Sequence, residues 1–254
     1  MARILITGSS DGIGLVAAKS LIAQGHQVVL HARNEQRASE TKKAAPGAEA
    51  VFVSDISTIA GMKKLASEAN DSGAFDTVIH NAGIGQSRPY HKTEDGVAAL
   101  FATNSLAPYV LTALMNKPKR LVYTSSQLQA AGDGSLEDVT WTGKRTWSGF
   151  QAYSDSKLHV ILIAFAVARH WKGVESNAVD PGWVATKMGG KSAPGSVEDG
   201  ADTLSWLADG KGSFNGKLLK GRRAIRPNEA APDVEVQERF LKVCEELSGV
   251  PFPK

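Results

Sequence analysis

The chain is poor in cysteine: of its 254 residues only Cys244 is one. No intrachain disulfide can form, which fits a reducing compartment. Cys244 lies in a late helical pattern, where a buried structural thiol is expected. Charge of one sign is also scarce. The 29 Lys and Arg nearly balance the 26 Asp and Glu, for a net charge of +3, and the two signs are interspersed. Nothing in this argues for a nucleic-acid partner. No apolar run is long enough to span a bilayer, so no membrane partner is expected. A strand begins within three residues of Met1, leaving no room for a signal or transit peptide, and a cytoplasmic location is expected. Without a secretory signal, the sequon Asn70-Asp71-Ser72 carries no weight. Repeats, low-complexity segments and a metal site are not expected. What remains is ordinary: 42% apolar and 22% charged residues, enough for a normal core and suited to one α/β domain over 1–254.

Strand and helix signals alternate. Arg3–Ile6 is a short apolar run that reads as a buried strand. Gly8-Ser9-Ser10-Asp11-Gly12-Ile13-Gly14 follows, then a helical pattern from Leu15 to Ala23 closed by Gly25, then a strand from Gln27 to His31. This is a βαβ unit with a glycine-rich turn. The helix start after such a turn binds anions through free N–H groups and the helix dipole, and glycines let backbone approach a pyrophosphate. The spacing is Gly-x-x-x-Gly-x-Gly, not the commoner Gly-x-Gly-x-x-Gly. Further strands are expected at 50–53, 75–80, 120–124, 175–179 and about 216–219. Helices are expected at about 35–45, 58–72, 94–115, 152–171, 197–208 and 234–247.

Tyr153 and Lys157 stand four apart on the helix after a long loop. Residues so spaced are neighbours, and a nearby cation lowers a phenol's pKa, so Tyr153 could pass a proton near neutral pH. Gly8, Arg33, Asp55, Asn81, Ser126 and Pro181 each follow a strand. All gather at the carboxyl edge of a parallel sheet, where open α/β sheets bind ligands. After the second strand Ala32 is followed by Arg33, a charge that suits the 2′-phosphate of NADP rather than bare ribose hydroxyls.

Thr7-Gly8-x-x-x-Gly12-Ile13-Gly14, Asn81-Ala82-Gly83, Ser125-Ser126, Tyr153-x-x-x-Lys157 and Pro181-Gly182-x-Val184-x-Thr186 resemble, in order, the motifs of the short-chain dehydrogenase/reductase family. The resemblance covers nearly the whole chain. It implies a single-domain Rossmann-like, doubly wound α/β fold with about seven mostly parallel strands and helices on both faces. It implies reversible hydride transfer between a nicotinamide and a carbonyl or alcohol. Ser126 would orient the substrate oxygen, Tyr153 would exchange the proton, and Lys157 would lower the Tyr153 pKa and hold the nicotinamide ribose. Asn104, in the helix at 94–115, would hold a water in a relay to the lysine. Gly8, Ser10, Gly12, Ile13, Gly14, Arg33, Asn81, Ala82 and Gly83 would line the cofactor, and Asp55-Ile56 would meet the adenine. Pro181, Gly182, Val184 and Thr186 would lie along the nicotinamide. NADP(H) is expected over NAD(H), and carbonyl reduction as the direction. Family members commonly form a homodimer or homotetramer through the two long helices, here 94–115 and 152–171.

Some features depart from the family pattern. His80 replaces the first Asn of Asn-Asn-Ala-Gly, and a structural role is expected for it. Asp11 stands where some NADP-using members carry a base. Ser126 and Tyr153 are 27 positions apart, roughly twice the usual interval, as in some retinol-dehydrogenase-like members. The insert at 129–150, the loop at 187–200 and residues 86–90 are expected to wall the substrate site, and Trp141, Trp147 and Trp183 hint at an apolar or aromatic substrate. A small-molecule carbonyl or alcohol is the expected partner. An NADP(H)-binding redox sensor without turnover is the alternative; the full Asn104, Ser126, Tyr153, Lys157 set argues against it.

Overall fold

A computed structural model describes residues 1–143 and 145–254. One sheet runs through the molecule in the order β3-β2-β1-β4-β5-β6-β7-β8. Its strands are β1 Arg3–Ile6, β2 Gln27–Ala32, β3 Ala50–Val53, β4 Thr77–His80, β5 Arg120–Thr124, β6 Glu175–Val179, β7 Lys217–Lys220 and β8 Arg223–Ile225. All neighbours are parallel except β7 and β8. The sheet therefore has eight strands rather than seven. The eighth is a short, mostly exposed return of β7 through the tight turn at Gly221-Arg222, both left-handed. Three residues of Arg-Ala-Ile carry no periodicity long enough to announce a strand.

Strand side chains alternate between two cores. Ile4, Ile6, Val28, Leu30, Ile79, Val122, Val179 and Leu219 point to one, closed by helices α1 Gly12–Ala23 and α7 Val197–Ala208. Leu5, Val29, Val78, Leu121, Tyr123, Ala178 and Leu218 point to the other. Both faces being covered, the strands read as continuous apolar runs. The second face carries α3 Ile59–Asp71, α5 Ala107–Leu114, α6 Gly149–His170 and α8 Val234–Ser248, while α2 Glu35–Ala44 links β2 to β3. Caps mark most of the helix starts: Asn34, Thr58, Ser148, Ser196 and Asp233 each accept from a backbone N–H two or three residues on.

The expected helix at 94–115 is broken. Its first regular turn, α4, spans only Ala99–Phe101. Ala102–Leu106 is a π-helical segment, and α5 follows. Pro108 stands at the start of α5, where its missing N–H costs a regular helix one bond. Asn104 lies in the π segment, an irregularity that favours functional sites.

The helices expected to pair between subunits are covered within the chain. Phe240 and Cys244 of α8 are fully buried, and Phe240 stacks on His159 of α6 at 4.4 Å. The Tyr109 hydroxyl of α5 donates to the Val250 carbonyl at 2.8 Å, and Phe252 stacks on Trp171. Pairing of α5 and α6 with a second copy would have to use another face or displace α8. Among the described residues no helix is long and apolar enough to cross a membrane.

Candidate active site

The sheet reverses its winding between β1 and β4, and the strand ends there are tied together. Thr7 Oγ1 accepts from the backbone N–H groups of Asn81 and Ala82 at 3.0 and 3.1 Å. The Asn81 amide donates to the carbonyls of Thr7 and Gly8. Only glycine fits at Gly8: its φ is +63°, and a Cβ there would lie 2.5 Å from Ala82 Cα. At Gly14 a Cβ would lie 2.5 Å from Asn81 Nδ2. Unlike the capped helices, α1 has no side-chain cap, since Asp11 makes no such bond. Its first N–H groups face the edge where the glycine loop opens, which suits the pyrophosphate of a dinucleotide.

His31 holds this loop from beneath. Its Nδ1 accepts from the Gly8 N–H at 3.1 Å, and its Nε2 lies 2.9 Å from the Ser54 carbonyl. Burial holds its pKa below the usual range, so a neutral ring with the proton on Nε2 satisfies both bonds. Arg33 is exposed at the β2 end. Arg37 pairs with Asp11 at 2.7 Å, and Lys187 reaches the same carboxylate at 3.1 Å. The charge of Asp11 is thus met by two cations. Asp55 is exposed and accepts from the Ser57 N–H, while Ile56 is buried.

Gly83 brings two sequence-predicted residues together: a Cβ there would lie 3.3 Å from Asn104 Oδ1 and 3.7 Å from Lys157 Nζ. Asn104 grips the backbone of Ile84, accepting from its N–H at 2.8 Å and donating to its carbonyl at 3.0 Å. It also donates to Ser156 Oγ at 3.1 Å. Both amide protons are spent, so the side chain positions the loop after β4 and has only its oxygen left for a relay.

Lys157 is buried and donates to the Thr124 carbonyl at 2.9 Å. Burial pushes its pKa down to about 8. Its Nζ lies 5.3 Å from the Tyr153 ring centre. The Tyr153 hydroxyl is pushed up to about 12, chiefly by burial; Ser126 works the other way and Asp180 adds to the rise. This differs from the expectation that Lys157 would lower it. The ammonium donates to a backbone carbonyl, and burial is the largest influence on the phenol.

Ser126 caps the short 3₁₀ helix Gln127–Ala131, accepting from Leu128 N–H at 3.3 Å, which leaves its own proton free to donate. Ser125 is committed: buried, it donates to the Lys157 carbonyl at 2.8 Å. Asp180 accepts from the Gly182 N–H at 2.9 Å and shapes the turn through Pro181. Val184 and Ile13 meet over Gly200, where a Cβ would lie 3.1 Å from Val184 Cγ1 and 3.4 Å from Ile13 Cδ1. A Cβ on Gly12 would lie 3.3 Å from the Thr186 methyl, so the glycine loop and the segment after β6 close on one another. Half-buried Ser10 stands within that loop. His80 is structural, as expected: fully buried, held near a pKa of about 3, it stacks on Tyr123 and meets Thr112.

The insert is anchored. Asp155 of α6 accepts from Arg145 at 3.0 Å, from Gln151 at 2.7 Å and from the Asp133 N–H at 2.9 Å. Arg145 also covers the Trp141 ring at 4.1 Å, and Asn228 donates to the carbonyls of Gln129, Ala130 and Gly132. Sequence reasoning missed His31, Arg37, Asp155 and Asp180. For Asp155 the available signal was an acid inside Tyr-x-x-x-Lys, the one acidic residue of its helix.

The sequence profile of the short chain dehydrogenase family matches residues 2–196. The chain belongs to that family. Short-chain dehydrogenase chry4 of Gibberella zeae is 46% identical, covering all of this chain and 99% of that protein. Human retinol dehydrogenase 14 is 29% identical over 98% of this chain and 80% of its own length, in keeping with the retinol-dehydrogenase-like interval between Ser126 and Tyr153. Among solved structures, a Mycobacterium paratuberculosis protein matches with a TM-score of 0.85 at 23% identity, covering 100% of this chain and 96% of its own. A Burkholderia cenocepacia short chain dehydrogenase solved with NADP matches with a TM-score of 0.67 at 24% identity, over 86% and 95%. At these identities the structures speak for the fold, an open, mostly parallel Rossmann-like sheet in a single α/β domain.

Proposed function

We propose that this chain is an NADP(H)-dependent oxidoreductase that works in the cytoplasm as a reductase of a small ketone or aldehyde. The observation that carries the reading is the meeting of Asn104 and Lys157 beside Gly83, one strand from the glycine loop, with Ser126 and Tyr153 on the same edge. The preference for NADP(H) rests on Ala32 and exposed Arg33 at the end of β2 and on Arg37 close by. The B. cenocepacia relative was solved with NADP.

The residues divide the work. The Ser126 hydroxyl donates to the substrate oxygen and stabilises charge developing there. Tyr153, held protonated well above neutrality, gives its proton to that oxygen in reduction. Lys157 holds the nicotinamide ribose and its charge favours the phenolate left behind; Asn104 fixes the loop after β4 beside them. When bound, reduced NADP supplies the hydride. Pro181, Gly182, Val184 and Thr186 hold the nicotinamide end, Gly8 to Gly14 the pyrophosphate, and Asp55 with Ile56 the adenine. The insert and the loop at 187–200 wall the substrate. The domain spans 1–254 and acts as a single copy, with α8 covering the α5 and α6 face expected to pair. A redox sensor without turnover would need none of the Ser126, Tyr153 and Lys157 chemistry, and no observation favours it.

The test is NADPH oxidation with a panel of ketones and aldehydes. Tyr153→Phe should lower kcat by about 10²–10⁴-fold while leaving NADPH binding in place. Turnover undiminished in that variant would remove the tyrosine from the mechanism.

A further inference from the structure

Among the described residues, seven large apolar side chains are exposed. Met1, Leu114 and Val234 sit at the N-terminus, the end of α5 and the start of α8. Of the other four, Met188 and Phe150 flank Tyr153, and Tyr90 and Trp183 stand on the loops that adjoin them. Phe150 lies one turn before Tyr153 on α6, and Tyr90 meets Trp147 edge-on at 5.2 Å. A Cβ on Gly149 would lie 2.2 Å from the Gln86 carbonyl, so the loop carrying Tyr90 lies against the start of α6. On the other side Trp183 donates from its indole nitrogen to the Gly189 carbonyl at 2.8 Å.

Met188 closes the ring of contacts. Its sulfur lies 3.9 Å from the Tyr153 hydroxyl, and a Cβ on Gly85 would lie 2.7 Å from its Cγ. A substrate oxygen must come within roughly 2.6–3.2 Å of that hydroxyl to take its proton. The thioether stands on that hydroxyl now, so a substrate oxygen bonded there would take its place. Met188 has three side-chain torsions and can swing aside without moving the backbone.

Scattered single apolar residues need no explanation, but a contiguous set at a functional edge marks a binding surface. Trp183 at 53% and Phe150 at 48% exposure leave aromatic faces open to solvent. Continuity with the proton donor says what should cover them. We propose that the substrate is a flat aryl ketone or aldehyde, sandwiched between Phe150 and Trp183, with Met188 displaced onto its ring edge. This rests on the reductase reading. The carbonyl carbon takes the hydride, with its electron pair, from reduced NADP; the oxygen takes the Tyr153 proton; the products are the aryl alcohol and oxidised NADP.

The closing experiment measures binding without turnover. Wild-type protein is loaded with oxidised NADP, which cannot reduce a ketone, and titrated with 2-acetylnaphthalene and with its saturated decalin counterpart. Burial of apolar area alone gives the saturated ring no disadvantage, whereas aromatic stacking adds a preference beyond area. The aryl ketone should bind about tenfold more tightly. Phe150→Ala with Trp183→Ala should cut that preference to within about twofold, and Trp183→Phe should restore part of it. Both positions are exposed, so folding is not at stake. Equal affinity for the two ketones would overturn the proposal, as would a preference that survives the double variant. Loss of self-association in the double variant with selectivity intact would assign the patch to a second copy and overturn it too. Turnover with NADPH is a separate reading: a protein that binds the aryl ketone selectively but reduces no carbonyl keeps this inference and loses the reductase.

Discussion

At the scale of single residues, the site is set by desolvation as much as by charge pairing. Lys157 is buried and donates to a backbone carbonyl, and its pKa falls from 10.5 to about 8. The reductive kcat/KM should therefore carry a one-proton descending limb near pH 8, where the ammonium is lost. Lys157→Arg keeps its charge to much higher pH and should move that limb upward; an unmoved limb would assign it to another group. Stability follows the opposite sign. Between pH 8 and 10.5 the unfolded lysine holds a proton that the folded one has released, so this residue makes stability rise with pH across that window. At lower pH the cost of burying the charge is felt in full. Arg33 is the second single-residue case. A charge-assisted hydrogen bond to a phosphate is worth about 1.5–3 kcal/mol, so Arg33→Ala should lower kcat/KM for NADPH by roughly 10–100-fold and leave NADH within about twofold. Equal losses with both cofactors would show that Arg33 does not read the 2′-phosphate.

At the scale of elements, the segment between Ser126 and Tyr153 is a built structure. Among the described residues, three of the four non-glycine residues with left-handed backbone, Leu136, Asp138 and Trp141, fall in it. Such conformations persist where surrounding contacts over-determine them. Here Asp138 takes the N–H groups of Thr142 and Arg145, and Asp155 takes Arg145 itself. Asp155 is almost wholly buried, so removing its cation leaves a desolvated carboxylate, a loss on the order of 3 kcal/mol. Arg145→Met should lower the denaturant midpoint accordingly, and adding Asp155→Asn should recover part of it. A midpoint unchanged in Arg145→Met would mean that the insert is held by its other contacts. The expectation of a long insert was legible from spacing alone. Its anchor was not, because Arg145 and Asp155 meet only once the chain has turned from loop into α6.

At the scale of the whole molecule, α8 and the tail after it decide the outer face. Val236, Phe240, Leu241 and Phe252 are buried there, each contributing about 1.5–3 kcal/mol relative to exposure. Lifting α8 to open α5 and α6 to a second copy would forfeit several kcal/mol per chain. Light scattering at micromolar concentration should give the mass of one chain. A dimer cross-linked through α5 and α6 would overturn this. The sequence marked 234–247 as a helix but not what it covers, since an amphipathic face states only that something apolar lies beneath it.

The division between sequence and structure follows the range of the forces involved. Alternation of strand and helix, the glycine loop, the caps and the order of motifs are local, and the residues that create them stand within a few positions of one another. They were enough to determine the Rossmann-like sheet and to put Tyr153 and Lys157 one turn apart on a helix. Only the tertiary structure decided the rest. Met188 meets the Tyr153 hydroxyl from 35 positions away, and His31 meets Gly8 from 23. Lys157 turns to Thr124 rather than to the phenol, and α8 closes over α5 and α6. These outcomes depend on which surfaces lose water together, and that is set by packing between distant segments rather than by the spacing of neighbours along the chain.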